Sequence, residues 1–243
     1  MKKFASKIFI STAFLAFLFI SAQQPKPKSK GAIKTSAKIQ AIPKDQLVEV
    51  QTQYGKMVIR LYNETPKHRD NFIKLVKEGF YDSLLFHRVI KEFMIQGGDP
   101  QSKNAADSIM LGAGSAPGDR IPAEFHPNFI HKKGALAAAR DNNPAKASSN
   151  CQFYIVEGKK IDTLQLSGIY NQGVKQNNPS FKYNNSQKEI YQRLGGTAFL
   201  DQNYTVFGEV ISGLDVIDKI ASVQTQSADR PSKNVMMKMR LLN

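Results

Sequence analysis

Phe86-His87-Arg88-Val89-Ile90-Lys91-Glu92-Phe93-Met94-Ile95-Gln96-Gly97-Gly98-Asp99-Pro100 reads as two short β-strands, residues 84–90 and 93–96, ended by a tight turn. Both are apolar enough to be half-buried. Side chains alternate faces along a strand, so Phe86, Arg88 and Ile90 are expected on one face, and Met94 and Gln96 on one face of the second strand. His87 is then expected to point the other way, into the fold. A charged group held among Phe, Ile and Met is costly to bury unless it is paired. The strand pattern leaves two readings open: a hairpin whose Arg88 points to water, or a sheet surface built to present Arg88 and Gln96. The Gly97-Gly98-Asp99-Pro100 run carries the turn residues that break a sheet.

Upstream, residues 47–52 and 57–62 form a hairpin pattern around Tyr54-Gly55. A helix follows, with Thr65 as N-cap, Pro66 in its first turn, Gly79 at its end, and Phe72, Leu75 and Val76 on its core face. Downstream, residues 101–120 are polar and rich in Gly, Ala and Ser, which predicts a long surface loop. Residues 134–140 read as an alanine-rich strand and 151–156 as another, with Gln152 and Tyr154 on one face. Residues 157–198 interrupt the β pattern. They hold one predicted helix over 187–194, capped by Ser186 and Glu189 and stopped by Gly195. Residues 205–210 read as a strand, Ser212 as the cap of a helix carrying Val216, Ile217 and Ile220, and 235–242 as a closing strand. Many strands with two regular helices point to a closed antiparallel barrel with plugged ends.

The chain has 243 residues, 41% of them hydrophobic, which suffices for a sizeable core. Its net charge is +14, but the charge is unevenly placed. Residues 1–22 contribute +3 and residues 23–44 contribute +6, with no acid in either, leaving +5 for the rest. That distribution describes a basic leader and tail rather than a nucleic-acid face. Residues 1–22 read as a signal peptide: lysines, an apolar run over 8–20, then Ser21 and Ala22. The run is short for a membrane span, which takes about 20 residues, and an uncleaved anchor is the alternative. Residues 23–44, rich in Lys, Pro, Ser and Ala, read as a flexible linker. The main domain is 45–243, with an insertion at about 157–198. The implied location is exported, with the periplasm expected and full secretion the alternative. The single cysteine, Cys151, has no internal disulfide partner and is expected to be a buried small hydrophobe.

The string FHRVIKEFMIQGGDP resembles the cyclophilin signature FHRxIxxFMxQGGD, without gaps and with every polar position kept. The likeness extends over about residues 48–243, apart from 157–198 and part of 101–115. It implies an eight-stranded antiparallel β-barrel capped by two α-helices, plus a partly helical insertion. It also implies an enzyme that interconverts cis and trans forms of the peptide bond before proline. By the same resemblance Arg88 is the catalytic arginine, with Gln96 beside it in the groove. Phe93, Met94 and Leu200 belong to the proline pocket, and Tyr154 stands where the family usually has phenylalanine. Ala139 and Arg140 match the pair whose backbone bonds the peptide, with Arg140 replacing an asparagine. Gln152 matches a second groove glutamine. Residues 199–208 resemble WLDGKHVVFG, so Phe199 replaces a tryptophan and Tyr204 a histidine, departures that resemble bacterial members. The glycine loop 112–118 is implied to line the neighbouring pocket.

These residue types suit the chemistry. An X–Pro bond isomerises unaided in tens to hundreds of seconds, because the amide loses resonance as it twists over a barrier of ~18–20 kcal/mol. No bond to carbon forms or breaks, so no cofactor or metal is expected. The enzyme needs groups that favour the twisted amide, and a guanidinium does so by donating to the proline nitrogen as its lone pair returns. Gln96 is expected to fix the Arg88 rotamer. The implied partners are proline-containing polypeptides, unfolded exported proteins among them. No nucleic acid, no membrane span after cleavage and a monomeric state are expected. A competing reading is a barrel that binds extended chains without catalysis, as a holding chaperone. For the insertion, a partner-docking element and a surface elaboration both stand.

Overall fold

The computed structural model describes residues 45–106 and 109–242. The expected signal peptide (1–22) and linker (23–44) lie outside the described residues. Eight antiparallel strands form one sheet: β1 Gln46–Thr52, β2 Gly55–Leu61, β3 Phe86–Ile90, β4 Met94–Gly97, β5 Ala135–Ala138, β6 Phe153–Val156, β7 Val206–Ser212 and β8 Lys238–Leu242, in the order β3-β4-β6-β5-β7-β2-β1-β8. β1 and β2 pair from Gln46↔Leu61 to Thr52↔Gly55, so their turn is Gln53-Tyr54 rather than Tyr54-Gly55. The sheet curls. The backbone leading into the start of β3 meets the backbone just before β8 through Phe86 N–H to Val235 O (2.9 Å), Ser83 N–H to Met237 O (3.0 Å) and Met237 N–H to Leu84 O (2.9 Å).

Period-two alternation gives the sheet two apolar faces. Ile95, Leu136, Phe153 and Ile155 point to the main core, where they meet Phe72, Leu75 and Val76 of α1 Pro66–Lys77 and Val216, Ile217 and Ile220 of α5 Leu214–Ala221. Their strand neighbours Met94, Ala135, Ala137, Tyr154 and Val206 form a smaller cluster on the opposite face. Each large side chain taken out of water on either face contributes about 1.5–3 kcal/mol. The small side chains of Ala135 and Ala137 are fully buried within that outer cluster.

Several expectations are corrected. The β3–β4 register shifts between Phe86 and Arg88. This bulge puts Phe86 in the main core while Arg88 lies on the outer face, so the two do not share a face. α5 is preceded by Gly213 in a left-handed conformation rather than capped by Ser212. Thr65 occupies the N-cap of α1, but its hydroxyl donates back to Tyr62 O instead of accepting from the helix. The same helix ends as expected: Gly79 is left-handed, and Phe80 N–H reaches Leu75 O while Gly79 N–H reaches Val76 O.

The insertion holds more helix than expected. α2 Thr163–Ile169 runs through a π-turn at Tyr170–Val174 into α3 Lys175–Asn177. α4 spans Asn185–Arg193 and is boxed by Asn184 and Gln187, two residues ahead of the expected Ser186–Glu189 pair. Ile161, Leu166, Val174, Phe181, Tyr183 and Tyr191 pack into a second cluster with Ile130 and Ala198. Among the described residues no helix is long and apolar enough to cross a membrane.

Candidate active site

β3, β4 and β6, with the two residues that follow β5, present side chains to one small pocket of about 110 Å³. Nine of the eleven residues singled out by resemblance line it: Arg88, Phe93, Met94, Gln96, Ala139, Arg140, Tyr154, Leu200 and Tyr204. The ladder explains the convergence. Arg88 stands across from Gln96, Gln96 from Tyr154, and Tyr154 from Ala137. The 3-10 turn Ala198–Leu200 closes the far side with Leu200. The walls are apolar, and the polar atoms sit at one edge.

Arg88 lies where this pocket meets a larger cleft of about 740 Å³, which it also lines with Met110, Gly112 and Asp229. Its Nε donates to Asp229 Oδ2 at 3.2 Å, with both side chains partly exposed. This corrects the expectation for Gln96, whose amide donates to Gln152 Oε1 (3.2 Å); Asp229 is the residue that holds the arginine. Asp229 and its neighbour Ala228 both have positive φ, 57° and 60°, in a conformation that costs a non-glycine residue about 1–2 kcal/mol. Their strained turn faces the cleft.

Two residues stand outside the pocket. Gln152 is buried behind Gln96, and its Nε2 donates to Gly112 O (2.9 Å) and Gly114 O (2.8 Å). It ties down the glycine loop instead of offering a donor to a ligand. Phe199 is half-exposed at the rim, its ring 5.6 Å from that of Phe93. Of the Ala139–Arg140 pair, Ala139 has spent its N–H on Gln152 O (3.0 Å), and its carbonyl accepts from Ser149 N–H (2.8 Å). The Arg140 guanidinium lies 4.5 Å from the Tyr204 ring centroid and donates to Asn203 Oδ1 (3.1 Å), building one wall of the rim. Gly112, Gly114 and Gly118 line a neighbouring pocket of about 330 Å³ with Arg120 and Asn150.

His87 is buried as expected, yet it lines the Arg88 cleft under Gly112 rather than entering the main core. Cys151 is buried, and burial raises its thiol pKa. Sequence reasoning missed Asp229, Asp99 and His131. Asp99 is buried and accepts from the N–H groups of Gln101 (2.8 Å) and Gly112, anchoring the glycine loop. His131 reaches the pocket through the Tyr154 hydroxyl, 2.9 Å from its Nε2. The Asp99 signal was available, since Asp before Pro at a turn is a capping residue. Asp229 and His131 carry no local signal. Among the described residues no group of three His, Cys, Asp or Glu side chains is placed to hold a metal.

Residues 47–240 match the family model described as cyclophilin type peptidyl-prolyl cis-trans isomerase. A Staphylococcus aureus protein named peptidyl-prolyl cis-trans isomerase is 34% identical over 191 residues, covering 78% of this chain and 88% of its own. A Streptococcus pyogenes protein named as a bifunctional phosphatase and peptidyl-prolyl cis-trans isomerase is 33% identical, covering 78% of this chain and 37% of its own. The Cryptosporidium parvum cyclophilin crystal structure superposes with a TM-score of 0.59 at 21% identity, covering 82% of this chain and 98% of that one.

Proposed function

The chain belongs to the cyclophilin-type peptidyl-prolyl cis-trans isomerase family and is an enzyme of that class, and we propose that Arg88 is the group with which it lowers the barrier. The proline ring enters the pocket between Phe93, Met94, Tyr154 and Leu200 and is held still while the acyl side turns. As the amide twists, its nitrogen becomes pyramidal and basic. A donor at the pocket edge then gains a partner that the planar forms do not offer, and this difference is what accelerates the reaction. Asp229 holds Arg88 through Nε, which leaves the two terminal amino groups of the fork for substrate. With the Ala139 N–H spent, the main chain at Arg140 is the edge that pairs with the bound peptide. The observation that carries this reading is the place of Arg88, on the seam between an apolar pocket and an open cleft.

The hydrogen bonds joining the backbone ahead of β3 and β8 support a barrel that closes rather than stopping as a curled half. The lysine-led apolar leader supports an exported enzyme acting on exported chains. The test is exchange NMR on a proline tetrapeptide. Arg88→Ala is expected to keep the fold and lose ~10²–10³-fold in kcat/KM, and Asp229→Ala to lose less, because the guanidinium remains. Wild-type turnover from Arg88→Ala removes the arginine from the mechanism. Peptide binding without turnover in the unmutated protein selects the holding-chaperone reading.

A further inference from the structure

Asp201 is fully buried and has four donors on its two carboxylate oxygens. Oδ2 accepts from the Tyr183 hydroxyl (2.7 Å) and the Tyr191 hydroxyl (2.6 Å), both from the 157–198 insertion. Oδ1 accepts from the His131 N–H (2.7 Å) and from His131 Nδ1 (2.8 Å). A carboxylate only accepts when ionised, so Nδ1 carries the proton. The other ring nitrogen, Nε2, is then the acceptor for the Tyr154 hydroxyl at 2.9 Å. Burial raises the pKa of Tyr154, Tyr183 and Tyr191, which keeps all three as donors. The chain of bonds is continuous, running from two insertion tyrosines through Asp201 and His131 to a wall of the proline pocket.

The ends of the insertion touch the same pocket independently. The N–H groups of Glu157 and Gly158 both donate to Phe93 O at 3.1 Å. At the other end Gly196 is bridged to Lys159 and Lys132, and the chain passes straight on to Leu200 and Asp201. A surface elaboration with no bearing on the site would have no reason to bury two tyrosine hydroxyls against the carboxylate next to a pocket leucine.

We propose that the insertion is a positioning element for the isomerase site: Tyr183 and Tyr191, acting through Asp201 and His131, fix the Tyr154 ring that shapes the proline pocket. Tyr183, Tyr191, Asp201 and His131 are positioning residues, since none of them lines the pocket. The inference rests on the isomerase reading for its meaning, but pocket geometry can be read by binding alone.

The experiment is Tyr183→Phe/Tyr191→Phe, examined in the wild type and in a Tyr154→Phe background. In the wild type the double variant is expected to raise the KM and the Kd for a proline tetrapeptide about tenfold, kcat changing less, because a misplaced wall weakens substrate positioning. The ring-nitrogen resonances of His131 are expected to shift. In the Tyr154→Phe background the same two changes are expected to cost less than twofold, since the last bond of the chain is already gone. Tyr183→Phe alone, which leaves Tyr191 on Asp201, serves if the double variant does not fold, and the same His131 shift is expected. Peptide Kd within twofold of wild type, an equal loss in the Tyr154→Phe background, or unmoved His131 resonances would each overturn the proposal. Absent turnover with an intact Kd effect would count against the isomerase reading alone.

Discussion

His87 is a buried ring whose two nitrogens, among the described residues, have no hydrogen-bond partner. Burial, helped by Arg88 and Arg230 and opposed by Asp99 and by the approach of the Leu85 main chain, which is too distant or bent to count as a full hydrogen bond, depresses its pKa from 6.5 to about 4. The folded state therefore holds a neutral ring where the unfolded chain takes a proton. Its contribution to stability is complete above pH 6.5 and is lost as pH falls toward 4. The carboxylates of Glu49, Asp141 and Glu209, held below their ordinary values, lose their contributions only at lower pH. Between pH 6.5 and 5 the fall comes from His87 and His68, both depressed by burial, against an opposite contribution from Glu157, whose carboxyl burial raises; His87 should account for about 1.5 kcal/mol of lost stability there. Urea unfolding at closely spaced pH values checks this. His87→Leu should flatten that window, and an unchanged slope would mean the ring is hydrated or paired in solution. The sequence showed that His87 would be buried but not where, because the bulge at Phe86–Arg88 turns the local faces and alternation has no term for an extra residue. Asp229 was invisible for a different reason: the contact with Arg88 spans 141 positions and no spacing rule reaches that far.

β4 runs into the Gly97–Gly98 turn, and the next strand leaves no room beside it. A Cβ at Gly98 would lie 2.3 Å from Cys151 O, at a φ of +93°. Gly98→Ala therefore has to displace the Cys151–Gln152 backbone just ahead of β6 and is expected to cost about 3 kcal/mol or more. Gly79, at the end of α1, has a φ of +67° but nothing nearer than 3.9 Å to a new Cβ. Gly79→Ala meets only the left-handed backbone penalty and is expected to cost about 1–2 kcal/mol. Thermal unfolding of the two variants separates close approach from conformation, and equal losses would show that the Cys151 contact yields. Strands and core helices were legible because each carries an apolar period of its own, and the groove face followed from alternation in β4 and β6. The insertion helices were less so. Asp162 and Gln165 form a capping box ahead of α2, yet only Leu166 of that helix is buried and Leu164 is exposed, so no stripe marked it. Around α4, Asn184, Asn185 and Ser186 are all competent caps. The start at Asn185 prevails because it turns Gln187 and Tyr191, four residues apart, toward the core.

At the scale of the whole molecule, the sheet and the 157–198 segment each gather a hydrophobic cluster, and the segment's cluster takes in Ile130 while Gln187 donates to Pro127 O. Lys159 and Gly196 lie side by side where the chain enters and leaves that segment, with Gly196 N–H on Lys159 O at 3.0 Å. Chain ends so close allow residues 160–195 to be replaced by a two-residue turn without moving β6 or the Ala198–Leu200 turn. The main core draws on α1, α5 and the strands and owes no residue to 160–195, so the shortened chain should keep its sheet and unfold cooperatively. Asp201 would then lose both tyrosine donors and the cover those rings give it, keeping only its bonds to His131. Water replaces the lost donors, so the carboxylate is no longer fixed on its Oδ2 side and holds His131, and through it Tyr154, less firmly. The expected outcome is a folded eight-stranded sheet, several degrees less stable, whose affinity for a proline peptide falls further than that of the Tyr183→Phe/Tyr191→Phe variant. Far-UV dichroism and peptide titration together decide it. A shortened chain that binds peptide as the full one does would make the insertion an ornament, and a chain that does not fold at all would make the two cores one.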